Sequence, residues 1–321
     1  MNSIYLRKMI KTVALVLAAG ISATAQAVCA NPNLDVVVLG SGGPELSDKR
    51  ASSGYILREN KKARILVDFG SGASLNFERA GAQIEDLQAV LLSHLHADHV
   101  NDFPALVKGA FFSERGRDLP VYGPAGNHAV PPLPQYLQRL FGENGAYAYL
   151  SGFLDGSEAF RFKPVTVPFD MKRPQVFSAK AGGFTLRAVP VAHGIIPALG
   201  WRIEKDGCSV VFSGDTGNMG RTLDKIAGNA DLFVAHNAVP EGSADRIALK
   251  LHMPPSEIGR IAAGAGVKSA VLSHFMRRTE NVKPQTAEAV GAHYSGRLAF
   301  AEDCDIYSVQ SGLKTGSCAE K

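Results

Sequence analysis

Residues 87–100 read Leu-Gln-Ala-Val-Leu-Leu-Ser-His-Leu-His-Ala-Asp-His-Val, an aliphatic run that stops in four potential metal ligands within six positions. Leu87–Ser93 has the length and content of a buried strand, and Asn101-Asp102-Phe103-Pro104 followed by Ala105–Phe112 reads as a turn into a helix. The ligands therefore fall at a strand-to-helix junction, and the rest of the chain has to be arranged around it. In extended backbone, residues two apart leave the same face, so His94 and His96 can share one ion. Asp98 and His99 come after the chain has turned, which directs them to a second ion close by. Imidazole and carboxylate both suit zinc, and neither needs a thiol.

The run His94-Leu95-His96-Ala97-Asp98-His99 resembles the signature of the metallo-β-lactamase-fold hydrolases. Further segments are similar to the branch that holds ribonuclease Z and the zinc arylsulfatases, and the similarity extends over nearly all of the chain from about Asp35 onward. It implies an α/β fold, a four-layer αββα sandwich, around a dinuclear site. On that resemblance, His193, after the strand Phe184–Val191, is the third histidine of the first metal, and His274, closing the strand Lys268–Ser273, is the last ligand of the second. Asp215, delivered by the strand Cys208–Ser213 among small residues, has the setting of a carboxylate that bridges two cations, one oxygen on each. The expected set is His94, His96 and His193 on one Zn2+, Asp98, His99 and His274 on another, and Asp215 between them, with Mn2+ or Fe2+ as alternatives. Two such zincs about 3.5–4 Å apart lower the pKa of a shared water to about 7 and supply hydroxide. Asp98 is the candidate to orient that nucleophile. His252 matches a histidine of the branch that binds no metal, and is the candidate to protonate a leaving oxygen or stabilise the transition-state anion. Asp68 matches an acidic position that orients a ligand histidine and raises its basicity.

Asp35–Gly40, Tyr55–Arg58, Arg64–Asp68, Ala198–Glu204 and Ala230–Ala235 read as further strands. Ser74–Gly81, Thr222–Ala227 and Glu257–Gly264 read as helices, the last with Ser256 as N-cap. Gly42 and Gly43 sit in a turn whose N–H groups offer a weak anion cradle. Arg277 and Arg278 either contact an anionic substrate or are solvated. Residues 125–178 are rich in Pro, Gly and aromatics without strong periodicity. They read as a recognition insertion or lid, an ordinary subdomain, or a surface for a homodimer.

Residues 1–30 have the order of a secretory signal: Arg7, Lys8 and Lys11, then the apolar Thr12–Ile21, then Ala25-Gln26-Ala27. Cleavage falls after Ala27 or Ala30, leaving residues 31–321 as one domain in the periplasm or outside the cell, free of the membrane; an uncut anchor is the alternative. Those three basic residues are taken from 34, against 30 acidic residues that all lie beyond position 30, so the remainder carries a net charge of +1. That gives no general footprint for nucleic acid. Asn237 stands where ribonuclease Z shows a glutamate, and an amide cannot carry a proton. The expected partner is thus a small anionic ester, a phosphodiester or sulfate ester, with no nucleic acid. A carboxylic ester or lactone hydrolase is the near alternative, and a ribonuclease Z-type nuclease or a non-catalytic zinc-binding protein the more distant ones. Cys304 and Cys318 are close enough in sequence to pair, whereas Cys208 reads as a buried thiol.

Overall fold

The computed structural model describes residues 28–318. Nearly all of the expected leader lies outside them. Side chains of β1 (Leu34–Gly40) alternate between two cores, Val36 and Val38 on one side, Val37 and Leu39 on the other. A strand with this pattern is covered on both faces. β2 (Gly54–Glu59), β3 (Lys62–Phe69), β4 (Ala89–Leu91), β5 (Leu119–Pro124) and β6 (Phe162–Val167) follow it in one sheet. The second sheet holds β7 (Phe177–Ala181), β8 (Phe184–His193), β9 (Ile196–Lys205), β10 (Cys208–Phe212), β11 (Leu232–His236), β12 (Ser269–Ser273) and β13 (Arg297–Phe300), in the order 13-12-11-10-9-8-7. The chain then returns to the first sheet as β14 (Asp305–Ser308) and β15 (Lys314–Ser317), giving 15-14-1-2-3-4-5-6.

The sheets face each other through Val36, Tyr55, Val67 and Leu91 of the first and Leu186, Trp201, Val210 and Val234 of the second. Each such fully buried side chain contributes on the order of 1.5–3 kcal/mol. The outer face of the first sheet is covered by helices carrying Phe77, Phe103, Leu106, Leu137 and Phe141. That of the second is covered by Ile226, Ile258, Ile261 and Val290. The result is the αββα sandwich that the resemblance implies. No helix among the described residues is long and apolar enough to cross a membrane.

Several local expectations need correction. The strand at the ligand run is only Ala89–Leu91, because Leu87 follows a 3-10 turn, Ile84–Asp86, and the Ser93 N–H is taken by the Asp68 carboxylate at 2.6 Å. A one-turn helix, Ala97–Val100, follows and carries Asp98 and His99; the next helix begins at Phe103, not Ala105, and tightens to a 3-10 turn at Ala110–Phe112. The helix Pro255–Gly264 starts two residues earlier than Ser256 would allow as a cap: Pro255 opens it, where a missing N–H costs nothing, and Ser256 instead donates its N–H and Oγ to Glu241 at 2.8 and 3.0 Å. Cys208 is not a thiol but pairs with Cys29, while Cys304 pairs with Cys318. Within 125–178, Phe141, Phe153, Phe160 and Phe162 are buried in the core beneath the first sheet, so these aromatics pack the sandwich and do not line a surface.

Candidate metal centre

β3 and β4 run parallel, as do β10, β11 and β12, and β8 points the same way as β10 because each is antiparallel to β9. Their carboxyl ends gather at one end of the sandwich, where open α/β sheets place their ligands. Asp68, His94, His193, Asp215, His236 and His274 all stand at or just beyond these ends. Two of them are held in left-handed backbone, Asp68 at φ 53° and His274 at φ 59°, a conformation that costs energy for a side chain and aims it sharply off the strand. Before Asp215 the turn is made by Gly214, at φ 58°, where an added Cβ would stand 2.7 Å from Leu199 O.

Asp215 Oδ2 lies 3.4 Å from His99 Nε2 and His274 Nε2, 3.8 Å from His193 Nε2 and 3.9 Å from His94 Nε2. His96 Nδ1 stands 3.3 Å from His193 Nε2. Asp98 Oδ2 stands 3.5 Å from His99 Nε2 and 3.8 Å from His274 Nε2. All seven expected residues thus converge, in two groups that share Asp215: His94, His96 and His193 on one side, Asp98, His99 and His274 on the other.

The partners of the opposite ring nitrogens fix which nitrogen is presented. His99 Nδ1 is 2.8 Å from Asp68 Oδ2, His274 Nδ1 2.7 Å from Ser53 Oγ, His94 Nδ1 3.0 Å from Ser93 Oγ, and His193 Nδ1 2.9 Å from Leu251 O. Asp68 itself is braced by the N–H and Oγ of Ser93. With each Nδ1 engaged, Nε2 turns inward. The Nε2 atoms of His94, His99 and His274 are buried without any hydrogen-bond partner. Buried polar atoms left bare are costly unless something occupies the space between them. Ligand atoms on a tetrahedral ion with bonds of about 2.0–2.1 Å lie roughly 3.4 Å apart, close to the spacings around Oδ2. The donor set fits a divalent cation on either side.

Charge points the same way. Burial alone would raise the Asp215 pKa, but His274, His99 and His252 and the hydrogen bond from His236 outweigh it and hold the carboxyl well below its usual range. Burial pushes His94 and His274 well down, and burial with His193 lowers His96, so these imidazoles are neutral with lone pairs free. His99 is the exception: burial opposes its charge, but Asp215, Asp98 and Asp68 together raise it well above the ordinary value. Its Nε2 sits where a positive charge is wanted, be it a proton or a metal ion.

One residue of the centre was not singled out from the sequence. His236 Nδ1 lies 2.7 Å from Asp215 Oδ1, and its Nε2 is 3.1 Å from the Tyr55 hydroxyl, which in turn meets Ser273 Oγ at 2.9 Å. Its ligand atom falls within 4.8 Å of those of His99, Asp215 and His274, but with both nitrogens hydrogen-bonded it braces Asp215 and does not compete for an ion. Asp215 Oδ1 is thus taken by His236, while Oδ2 faces both groups. The glycine cradle does not form either, since Gly42 N–H donates to Ala51 O and Gly43 N–H to Phe275 O. Arg278 is engaged by Ala238 O at 2.6 Å and stands 3.7 Å from Asp245.

His252 is buried between the groups, its ring centroid 5.5 Å from that of His193 and 5.6 Å from that of His274. Burial pushes its pKa down to about 4. Asn237 is fully buried, and neither its amide oxygen nor its nitrogen has a partner.

Comparison with known proteins agrees with this geometry. Ribonuclease Z of Mycobacterium bovis (strain BCG / Pasteur 1173P2) is 27% identical over 285 residues, 84% of this chain and 96% of that one. The metallo-beta-lactamase fold protein YhfI from Bacillus subtilis superposes with a TM-score of 0.64 at 23% identity, over 85% of this chain and 99% of its own. The short form of human tRNase Z gives a TM-score of 0.64 at 21% identity, over 86% and 99%. Residues 63–275 match the family described as the beta-lactamase superfamily domain, and with the His/Asp cluster at its sheet ends this chain belongs to that family as a metal-dependent hydrolase similar to ribonuclease Z.

Proposed function

We propose that this chain is an exported hydrolase of small phosphodiesters or sulfate esters that works with two zinc ions. His94, His96 and His193 would hold one, Asp98, His99 and His274 the other, and Asp215 Oδ2 would touch both. The observation that carries the reading is the single carboxylate oxygen ringed by four imidazole Nε2 atoms at 3.4–3.9 Å, each ring locked from behind. Divalent cations bound there supply Lewis acidity and a nucleophile drawn from water at neutral pH.

The chain's own residues do the rest. Asp98, with Oδ2 turned to His99 and His274, accepts a hydrogen bond from the attacking water and orients it. His252, neutral at pH 7, is a poor general acid, so of its two expected roles it takes the second: a hydrogen-bond donor to the oxygen on which negative charge develops. His236 holds Asp215 in place through the Tyr55 and Ser273 hydroxyls behind it. Export is supported by the order of residues 1–30 and by two cystine pairs, which persist in oxidising compartments. Since Cys29 is one of the paired residues, cleavage after Ala27 fits and cleavage after Ala30 does not.

The names of the relatives favour a second reading, cleavage of RNA. The near-neutral charge beyond residue 30 and the partnerless Asn237 weigh against it. The deciding experiment loads the purified protein with zinc, counts the metal, and assays bis(4-nitrophenyl) phosphate, 4-nitrophenyl sulfate, a 4-nitrophenyl ester, a homoserine lactone and a tRNA precursor side by side. Turnover of a phosphodiester or sulfate ester with two ions bound is the expected result. Cleavage of the precursor alone would replace this reading with the nuclease, and turnover of the ester or lactone alone with acyl chemistry.

A further inference from the structure

A cavity of about 530 Å3 opens between the connection 168–176, with the first residues of β7, and β8. Pro168, Val176, Phe177 and Pro190 form its apolar wall. Its charged lining residues, Asp170 and Arg173, stand 3.7 Å from each other. Two routes along the chain tie this cavity to the metal centre. Pro190 precedes His193 by three residues on β8, so at 3.2–3.4 Å per residue they are about 10 Å apart. The pairing of β7 with β8 ends at Ala188, and Val189–His193 run on beyond it toward the centre. The segment after Asp215 arrives at the same place. Gly217 N–H and Thr216 Oγ1 donate to Ala192 O at 2.8 and 3.0 Å, and a Cβ on Gly220 would stand 3.2 Å from Met171 Cε. Lys225 Nζ donates to Pro174 O at 2.7 Å and holds the connection down from the other side. Two exposed apolar side chains belong to the same segments, Ile195 just after His193 and Met219 just after Asp215.

We propose that this cavity seats the uncharged part of the substrate, an aryl or short alkyl group joined to the centre that is cleaved. The inference rests on the hydrolase reading above and narrows its substrate class. The volume is that of a small-molecule pocket, and an apolar wall with a polar margin is the usual lining of one. A polyanionic strand finds no counterpart here, because the Arg173 charge is offset by Asp170. The connection 168–176 is then the part of the aromatic-rich segment that selects substrate, while the buried phenylalanines before it serve packing.

The test uses two pairs of substrates that differ only in the apolar group: 4-nitrophenyl acetate with 4-nitrophenyl hexanoate, and methyl 4-nitrophenyl phosphate with benzyl 4-nitrophenyl phosphate. Val176→Asp is the variant, since the side chain is exposed enough for the fold to tolerate it, and Val176→Ile is its conservative control. For whichever pair is turned over, Val176→Asp should raise KM of the bulkier member about tenfold. The smaller member should change less than twofold, with metal content unaltered and Val176→Ile like the parent. An equal change for both members, or none, overturns the proposal. If the parent turns over neither pair, the phosphodiester and carboxylic ester forms of the reading fail by themselves, and binding of benzyl alcohol followed by NMR tests the cavity: binding weakened in Val176→Asp upholds it, and equal binding in both proteins removes it.

Discussion

The two sides of Asp215 are built differently. On the side of Asp98, His99 and His274, the rings are braced by the side chains of Asp68 and Ser53, from β3 and the approach to β2, and both histidines are fully buried. On the side of His94, His96 and His193, the braces are a neighbouring hydroxyl and the main-chain carbonyl of Leu251, and His96 is only half-buried. A carboxylate behind an imidazole raises its basicity and pins its ring; a hydroxyl or carbonyl does so more weakly. The first side is therefore rigid and electrostatically committed, and the second is more open to solvent.

Removing what the sides share should have the largest effect. Asp215→Ala is expected to take metal from both sides and lower kcat/KM by about 10³-fold or more, beyond the 10–100-fold typical of outer partners; elemental analysis that still finds two ions would refute its place between them. His252→Ala should lower kcat about 10²-fold with both ions retained, and loss of metal in that variant would make it a ligand. Asp68→Asn separates the sides: affinity at the His99 side should fall about 10–100-fold while the His94 side keeps its ion, seen as two resolved steps in a chelator titration. A single unchanged step would mean the sides are equivalent.

A smaller difference lies in pH. In the metal-free protein His99 keeps its proton above the ordinary imidazole range. A raised folded pKa stabilises the fold fully below the unfolded value near 6.5, and that contribution is lost as pH rises through the raised value. An ion entering that side must displace the proton, so its affinity should climb about tenfold per pH unit there. Buried His94 carries no proton near pH 7 to displace, and its side should be flat over the same interval. Calorimetry in two buffers of different ionisation enthalpy counts the protons released. Last, Cys29→Ser should leave both sides untouched while lowering Tm by about 5–10 °C, because the bond closes a loop of sequence separation 179.

The sandwich and the seven converging residues were legible because an aliphatic run ending in His94–His99 is a local signal, and the resemblance supplied the distant members. What was not legible is non-local. His236 closes an ordinary apolar strand, and only the fold brings its Nδ1 to Asp215 Oδ1. Cys208 looks like a core thiol until Cys29, far away in sequence, is laid beside it. Ser256 has the chemistry of a cap, but Pro255 before it is the better helix opener and Glu241 claims its donors. The aromatics of 125–178 left a lid, a subdomain and a surface open alike, because nothing in their spacing reveals that the phenylalanines pack beneath the first sheet while Tyr147 and Tyr149 stay exposed.

That one oxygen of Asp215 faces both groups, its other oxygen being tied to His236, couples the two halves of the centre. Whatever arrives first withdraws electron density from an atom the latecomer also needs, and at the same time halts the motion of a carboxylate the latecomer would otherwise have to arrest. On the proposed two-ion reading, occupancy of one position would then regulate the other.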